Sequence, residues 1–219
     1  MMTGVSIVLA ELELDALTEL VNLGVSNAAL SLREMVREEV FLSVPNVTVV
    51  TRDEAVSTLG ENETKRLVAV RQNFEGDITG RALLIFPDAR SMELVRALVG
   101  GDLSLEEIME LEQEALAETG NVLLNGCLGT IANALERPLR ISLPEVVHGQ
   151  GAEFFDVGHA KEGDGVLFIY INFTVKLRNI SGYIAMLLDM PSLVTLKELL
   201  RDYIARTTGP SVSSAHVEK

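Results

Sequence analysis

Asp15-Ala16-Leu17-Thr18-Glu19-Leu20-Val21-Asn22 and Glu114-Ala115-Leu116-Ala117-Glu118-Thr119-Gly120-Asn121 are two renderings of one motif, 99 residues apart. In each, a carboxylate is followed four residues on by Glu and three further on by Asn, a helical spacing. A proline comes 23 positions after each Asn, Pro45 in the first copy and Pro144 in the second. A period near 100 in a chain of 219 residues means two related halves.

Around the first copy, Leu14, Leu17, Leu20, Val21, Ala28, Leu32, Met35 and Val36 recur at helical spacing and predict a helix over 11–38. Pro45 then opens an extended run, Val47 to Thr51. After a polar segment (53–63), two β-rich runs follow, 66–74 and 78–86, with Gly76 and Asp77 as a hairpin turn. A helix over 89–99 stops at Gly100-Gly101, the boundary between the halves.

The second half repeats the order. Ser104 and Glu107 form a capping box, and helical pattern runs to about Leu135, as one helix or two in series. Extended runs over 146–148, 166–175 and 180–188 lead to a helix over 192–206. Ile78-Thr79-Gly80 has its counterpart in Ile180-Ser181-Gly182, 102 residues on, the extra length fitting a longer loop at Glu162-Gly163-Asp164-Gly165. Each half reads helix, three strands, helix.

Such a half cannot bury both faces of its strands alone. The expectation is one α/β domain of α+β type over 1–206, built from repeats at about 11–100 and 101–206. They share an antiparallel-rich sheet about a pseudo-twofold axis, with two long helices packed on it. Residues 207–219 are expected to form a disordered tail.

Composition narrows the function. Asp and Glu outnumber Lys and Arg by 32 to 18, for a formal net charge of -14, and there is no basic run, which disfavours nucleic acid. No apolar stretch approaches the roughly 20 residues of a membrane helix, and residues 1–10 lack a basic n-region, so a cytoplasmic protein is expected without membrane insertion. Cys127, the only cysteine, sits among Leu123, Leu124, Leu128 and Ile131 and reads as a small buried residue. His148, His159 and His216 lack ligand spacing, so no protein-bound metal is expected. No glycine-rich phosphate loop is present, and the methionines, Met35, Met92, Met109, Met186 and Met190 among them, fall at core-like positions.

A single Glu-x-x-Asn is ordinarily a solvated helix face. Two copies in matching phase, with Pro at the same offset, favour function, although duplication alone can preserve a surface pattern. Glu19 with Asn22, and Glu118 with Asn121, lie about 60° apart around a helix, with Asp15 and Glu114 one turn earlier.

The pattern [Asp or Ser]-x3-Glu-x2-Asn-x22-Pro resembles the signature of the CheC/CheX/FliY phosphatases of chemotaxis. Asp15, Glu19, Asn22 and Pro45 match throughout, and the stretch Asn22 to Ala29 is similar to that family's first active helix. Glu118, Asn121 and Pro144 match again, while Glu114 departs from Asp or Ser. Two copies on one chain resemble CheC rather than CheX, and the likeness covers about 14–206.

The resemblance implies dephosphorylation of the aspartyl phosphate of a CheY-like response regulator. Asn22 and Asn121 would orient the attacking water, since a carboxamide both donates and accepts hydrogen bonds. Glu19 and Glu118 would dock a receiver Lys. Asp15 and Glu114 would support the helix face, and Pro45 and Pro144 would fix the turn from helix to strand. The chain would bind no cofactor, with Mg²⁺ and the phosphorylated Asp supplied by the receiver. The alternative the family allows is a non-catalytic adaptor that binds CheD or flagellar-switch proteins. Glu114 also raises the possibility that only one site works.

Overall fold

The computed structural model describes residues 9–42, 46–51, 53–54, 57, 66–99, 104–154, 165–170, 173–175 and 183–208. The first half runs α1 (Glu11–Val36), β1 (Val40–Leu42), β2 (Asn46–Thr51), β3 (Leu67–Glu75), β4 (Gly80–Pro87) and α2 (Asp88–Val99). The second runs α3 (Leu105–Ala134), β5 (Arg140–Ile141), β6 (Glu145–Gly149), α4 (Gly151–Phe154), β7 (Gly165–Tyr170), β8 (Phe173–Val175), β9 (Tyr183–Leu188) and α5 (Met190–Thr208). All the described ladders are antiparallel. The largest sheet is ordered β5-β3-β4-β9, with β6 also on β3, while β2–β7 and β1–β8 form two further ladders. The described strands thus fall into three hydrogen-bonded sheets, although β7 still packs beside β9.

The registers carry the duplication. Val47 pairs with Ile169, and 99 residues away Val146 pairs with Val70. Phe41 pairs with Thr174, and Arg140 pairs with Glu75 at the same offset. Each half therefore hands one strand to the other: β2 pairs with β7, and β6 with β3. Between β4 and β9 the offset is 102, and Leu83 pairs with Ala185, its own counterpart. A pseudo-twofold axis passes through that pair. Even the helix ends correspond, because Arg37 and Glu136, 99 apart, both follow a long helix in the left-handed conformation, with φ of 53° and 56°.

Burial follows strand parity. Val68, Val70 and Phe74 of β3, with Leu84 and Phe86 of β4, face the helices and join Leu17, Leu20, Leu124 and Leu128 in the main core. Leu67, Ala69, Leu83 and Ile85 face the other way and pack with Phe154, Phe168, Ala185 and Leu187. Both faces of β4 are buried, so its sequence reads as a continuous apolar run. The C-terminal helix is tied to α1 through buried Glu13: its carboxylate accepts from Arg201 Nε at 2.6 Å and from the Ala10 N–H at 2.7 Å, with Lys197 Nζ at 3.6 Å. Among the described residues, no helix is long and apolar enough to cross a membrane.

Several expectations are sharpened or corrected. The segment from Leu105 is one helix of 30 residues, closed at its start by the Ser104–Glu107 capping box. Two of its glycines sit at close packing contacts: a Cβ on Gly120 would overlap the Val70 methyls, and one on Gly126 would lie 3.2 Å from Ala28 Cβ, while Gly129 faces open space. The strands β1 and β5 are too short to register as a pattern, and both exist through pairing with distant partners. Helix α5 continues through Thr207 and Thr208, whose hydroxyls fold back and donate to the Tyr203 and Ile204 carbonyls one turn earlier. Pro45, Gly100-Gly101, Glu162-Gly163-Asp164, Ile180-Ser181-Gly182, most of 53–63 and residues 209–219 lie outside the described residues.

Candidate functional sites on the paired helices

The long helices α1 and α3 pack against each other where side chains are smallest. A Cβ on Gly24 would lie 3.0 Å from both Cα and the carbonyl oxygen of Cys127, so backbone nearly meets backbone there. Asn27 Nδ2 donates to Thr130 Oγ1 at 3.2 Å and ties the helices beside this crossing. Cys127 is buried, and burial pushes its thiol up to about 12, so it acts as a small core residue.

With Leu17, Leu20, Val21 and Val25 buried, α1 turns Asp15, Glu19 and Asn22 outward. Asp15 and Glu19 are exposed and Asn22 is half-buried. On α3, Leu116, Thr119, Gly120, Leu123 and Leu124 face inward, leaving Glu114 and Glu118 exposed and Asn121 half-buried. The structure thus brings each Glu–Asn pair onto one outward stripe with the amide set deeper than the carboxylate. Among the described residues, Asp15, Glu19, Glu114 and Glu118 have no ion pair or hydrogen bond through their side chains, so all four carboxylates are open to an incoming cation.

The two amides differ. Among the described residues the Asn22 side chain has no hydrogen-bond partner. Asn121 Oδ1 accepts from Asn125 Nδ2 at 2.7 Å and from Gln72 Nε2 at 3.3 Å. Gln72 is 1% exposed and also donates to the Ser142 carbonyl at 2.9 Å. Ser142 is pinned to β3: its N–H donates to the Asn73 carbonyl at 2.8 Å, and its hydroxyl accepts from the Asn73 N–H at 2.9 Å. Pro144, half-buried, stands two residues beyond, between β5 and β6. The motif's proline therefore belongs to the connection that presents Ser142 to the Asn121 network, while Pro45 lies outside the described residues.

Gln72 is the residue that motif reading missed. The signal was present: Val68, Val70, Gln72 and Phe74 share one strand face, and a lone Gln among core positions asks for a buried partner. Of the methionines, Met186 is buried but Met109 is 61% exposed, on the outer side of the first turns of α3 and away from the packed face. His148 Nδ1 lies 3.0 Å from Asp88 Oδ1, tying β6 to the start of α2, while His159 and His216 lie outside the described residues.

The chain is similar to several known proteins. The family "Chemotaxis phosphatase CheX" matches residues 68–169, a span holding the second motif copy. The chain is 28% identical over 139 residues to the CheY-P phosphatase CheC of Bacillus subtilis, a match covering 62% of this chain and 66% of that protein. Its fold is similar to the crystal structure of Thermotoga maritima FliY, with a TM-score of 0.69 at 16% identity, covering 90% of this chain and 100% of that one. It is also similar to CheX in the CheX–CheY–BeF3–Mg²⁺ complex of Borrelia burgdorferi, with a TM-score of 0.50 at 17% identity, covering 76% and 96%. The partial family match, these relatives and the solved structures together make the chain similar to the CheC/CheX/FliY chemotaxis phosphatases.

Proposed function

We propose that this protein hydrolyses the aspartyl phosphate of a CheY-like receiver domain, using two sites, Glu19 with Asn22 and Glu118 with Asn121. The observation that carries this reading is the pairing, on each long helix, of a deeper-set amide with an unpaired carboxylate one turn away. An acyl phosphate is already activated, so positioning of water and stabilisation of charge suffice. Water attacks phosphorus, the bond to the receiver carboxylate breaks, and inorganic phosphate leaves as one water proton passes to solvent. Asn22 and Asn121 hold the water in line. Glu19 and Glu118 repel phosphoryl oxygens and therefore suit an ion pair with a receiver Lys, which aligns the two proteins. Mg²⁺ and the phosphorylated Asp belong to the receiver in this reading. The Borrelia CheX complex, which contains CheY, BeF3 and Mg²⁺, supports that division of labour by analogy.

The test is phosphate release from a phosphorylated receiver with and without the protein. Acceleration is expected, with partial loss in Asn22→Ala and in Asn121→Ala, and a fall on the order of 100-fold in the double variant. Full activity in the double variant would remove the Asn residues from the mechanism. Binding of a receiver or of CheD with no phosphate release would instead identify a non-catalytic adaptor.

A further inference from the structure

We propose that Gln72 is the positioning residue of the second site. With Asn125, it holds Asn121 Oδ1 inward, so that Asn121 meets a reacting group only through its N–H donors. The inference rests on the phosphatase reading for its kinetic consequence, but its geometry stands apart from that reading.

Oxygen and nitrogen of an amide are told apart by their partners, and here one backbone atom settles the whole chain of assignments. The Ser142 carbonyl can only accept, so the Gln72 atom 2.9 Å away must be the nitrogen. The same nitrogen lies 3.3 Å from the inward atom of Asn121, which must therefore be oxygen. Asn125 approaches that oxygen at 2.7 Å and must present its own nitrogen. Ser142 is fixed in turn by two hydrogen bonds to Asn73. The orientation of Asn121 is thus dictated from β3 outward, with no freedom left in the relay.

Among the described residues, Gln72 Oε1 and Asn125 Oδ1 are buried and have no hydrogen-bond partner. What the arrangement provides is a carbonyl with both lone pairs occupied and an NH₂ facing outward. A donor-only Asn121 holds a water or a phosphoryl oxygen by its lone pairs and takes no proton from the water. At the 99-residue offset the sequence has Ser26 in place of Asn125 and Ile171 in place of Gln72, neither of them an amide side chain.

Two measurements test this. In ¹⁵N-labelled protein without a receiver, the Asn121 side-chain amide signal is identified by its loss in Asn121→Ala. Its protons are expected to exchange with water as fast as those of an open side-chain amide, and protection of both would overturn the orientation. In the Asn22→Ala background, which isolates the second site, Gln72→Met is expected to lower kcat about tenfold, with KM for the phosphorylated receiver within about twofold. Asn125→Ala, at a half-buried helix position outside the strand core, is expected to lower kcat severalfold in the same way. Added to Asn121→Ala, Gln72→Met is expected to cost less than about twofold, because the group it positions is gone. Equal losses in both backgrounds, or a change in KM alone, would overturn the positioning role. If the wild type releases no phosphate from any phosphorylated receiver, the proposed function fails, and amide exchange still decides the orientation.

Discussion

Asn22 and Asn121 occupy equivalent places in the repeat, yet among the described residues only Asn121 has its carbonyl bonded to two amide donors. A pre-oriented amide loses less freedom when it engages a reacting group. Asn121→Ala is therefore expected to lower phosphate release more than Asn22→Ala, by about threefold to tenfold in matched assays. Glu13 shows the opposite use of a carboxylate. Burial alone would raise its pKa, but the Ala10 N–H, Arg201 and Lys197 together outweigh that and hold it below the usual carboxylate range. A depressed folded-state pKa stabilises the fold fully above the ordinary carboxylate value, and the contribution is lost as pH falls through the lowered one. Glu13→Gln is expected to cost about 1–2 kcal/mol at neutral pH, measured by urea unfolding, with the gap to wild type closing only below about pH 4. A gap that widened on acidification would contradict the ion-pair assignment.

At the scale of the element, α1 and α3 end alike. Arg37 and Glu136 adopt φ near +55° without being glycine, a conformation that costs an L-residue about 1 kcal/mol. Glu136 also carries an ion pair with Arg206, whereas exposed Arg37 has no partner among the described residues. Arg37→Gly is thus expected to raise stability by about 0.5–1 kcal/mol in thermal or urea unfolding, leaving phosphate release unchanged. A lower midpoint would show that Arg37 makes a contribution beyond its backbone. The helix ends were legible to within about two residues, but their left-handed caps were not, because such caps favour Gly or Asn, and Arg37 and Glu136 are neither. The hairpin β3–β4 was legible, since Gly76-Asp77 separates two runs of strand-forming residues.

At the scale of the whole molecule, strand exchange between halves governs cooperativity. Without its partner, each half would leave β3 or β7 with an open edge and the main core half-filled. A single urea transition is expected, coincident by far-UV circular dichroism and by a fluorescent probe placed in each half in turn. Two separated transitions would show that the halves hold their structure independently.

The sequence by itself determined the duplication, both motif stripes and most elements, because helical and strand periodicities and turn residues are local properties of the chain. Gln72 escaped that reading, although it is a polar side chain on an apolar strand face. Only the tertiary structure decided what that residue does. Gln72, Asn121 and Ser142 lie on a strand, a helix and a connecting segment that meet only when α3 packs onto β3 through Gly120. Hydrogen bonds between residues 49 and 70 positions apart leave no periodic trace, so the orientation of an amide is written in the packing and not in the spacing.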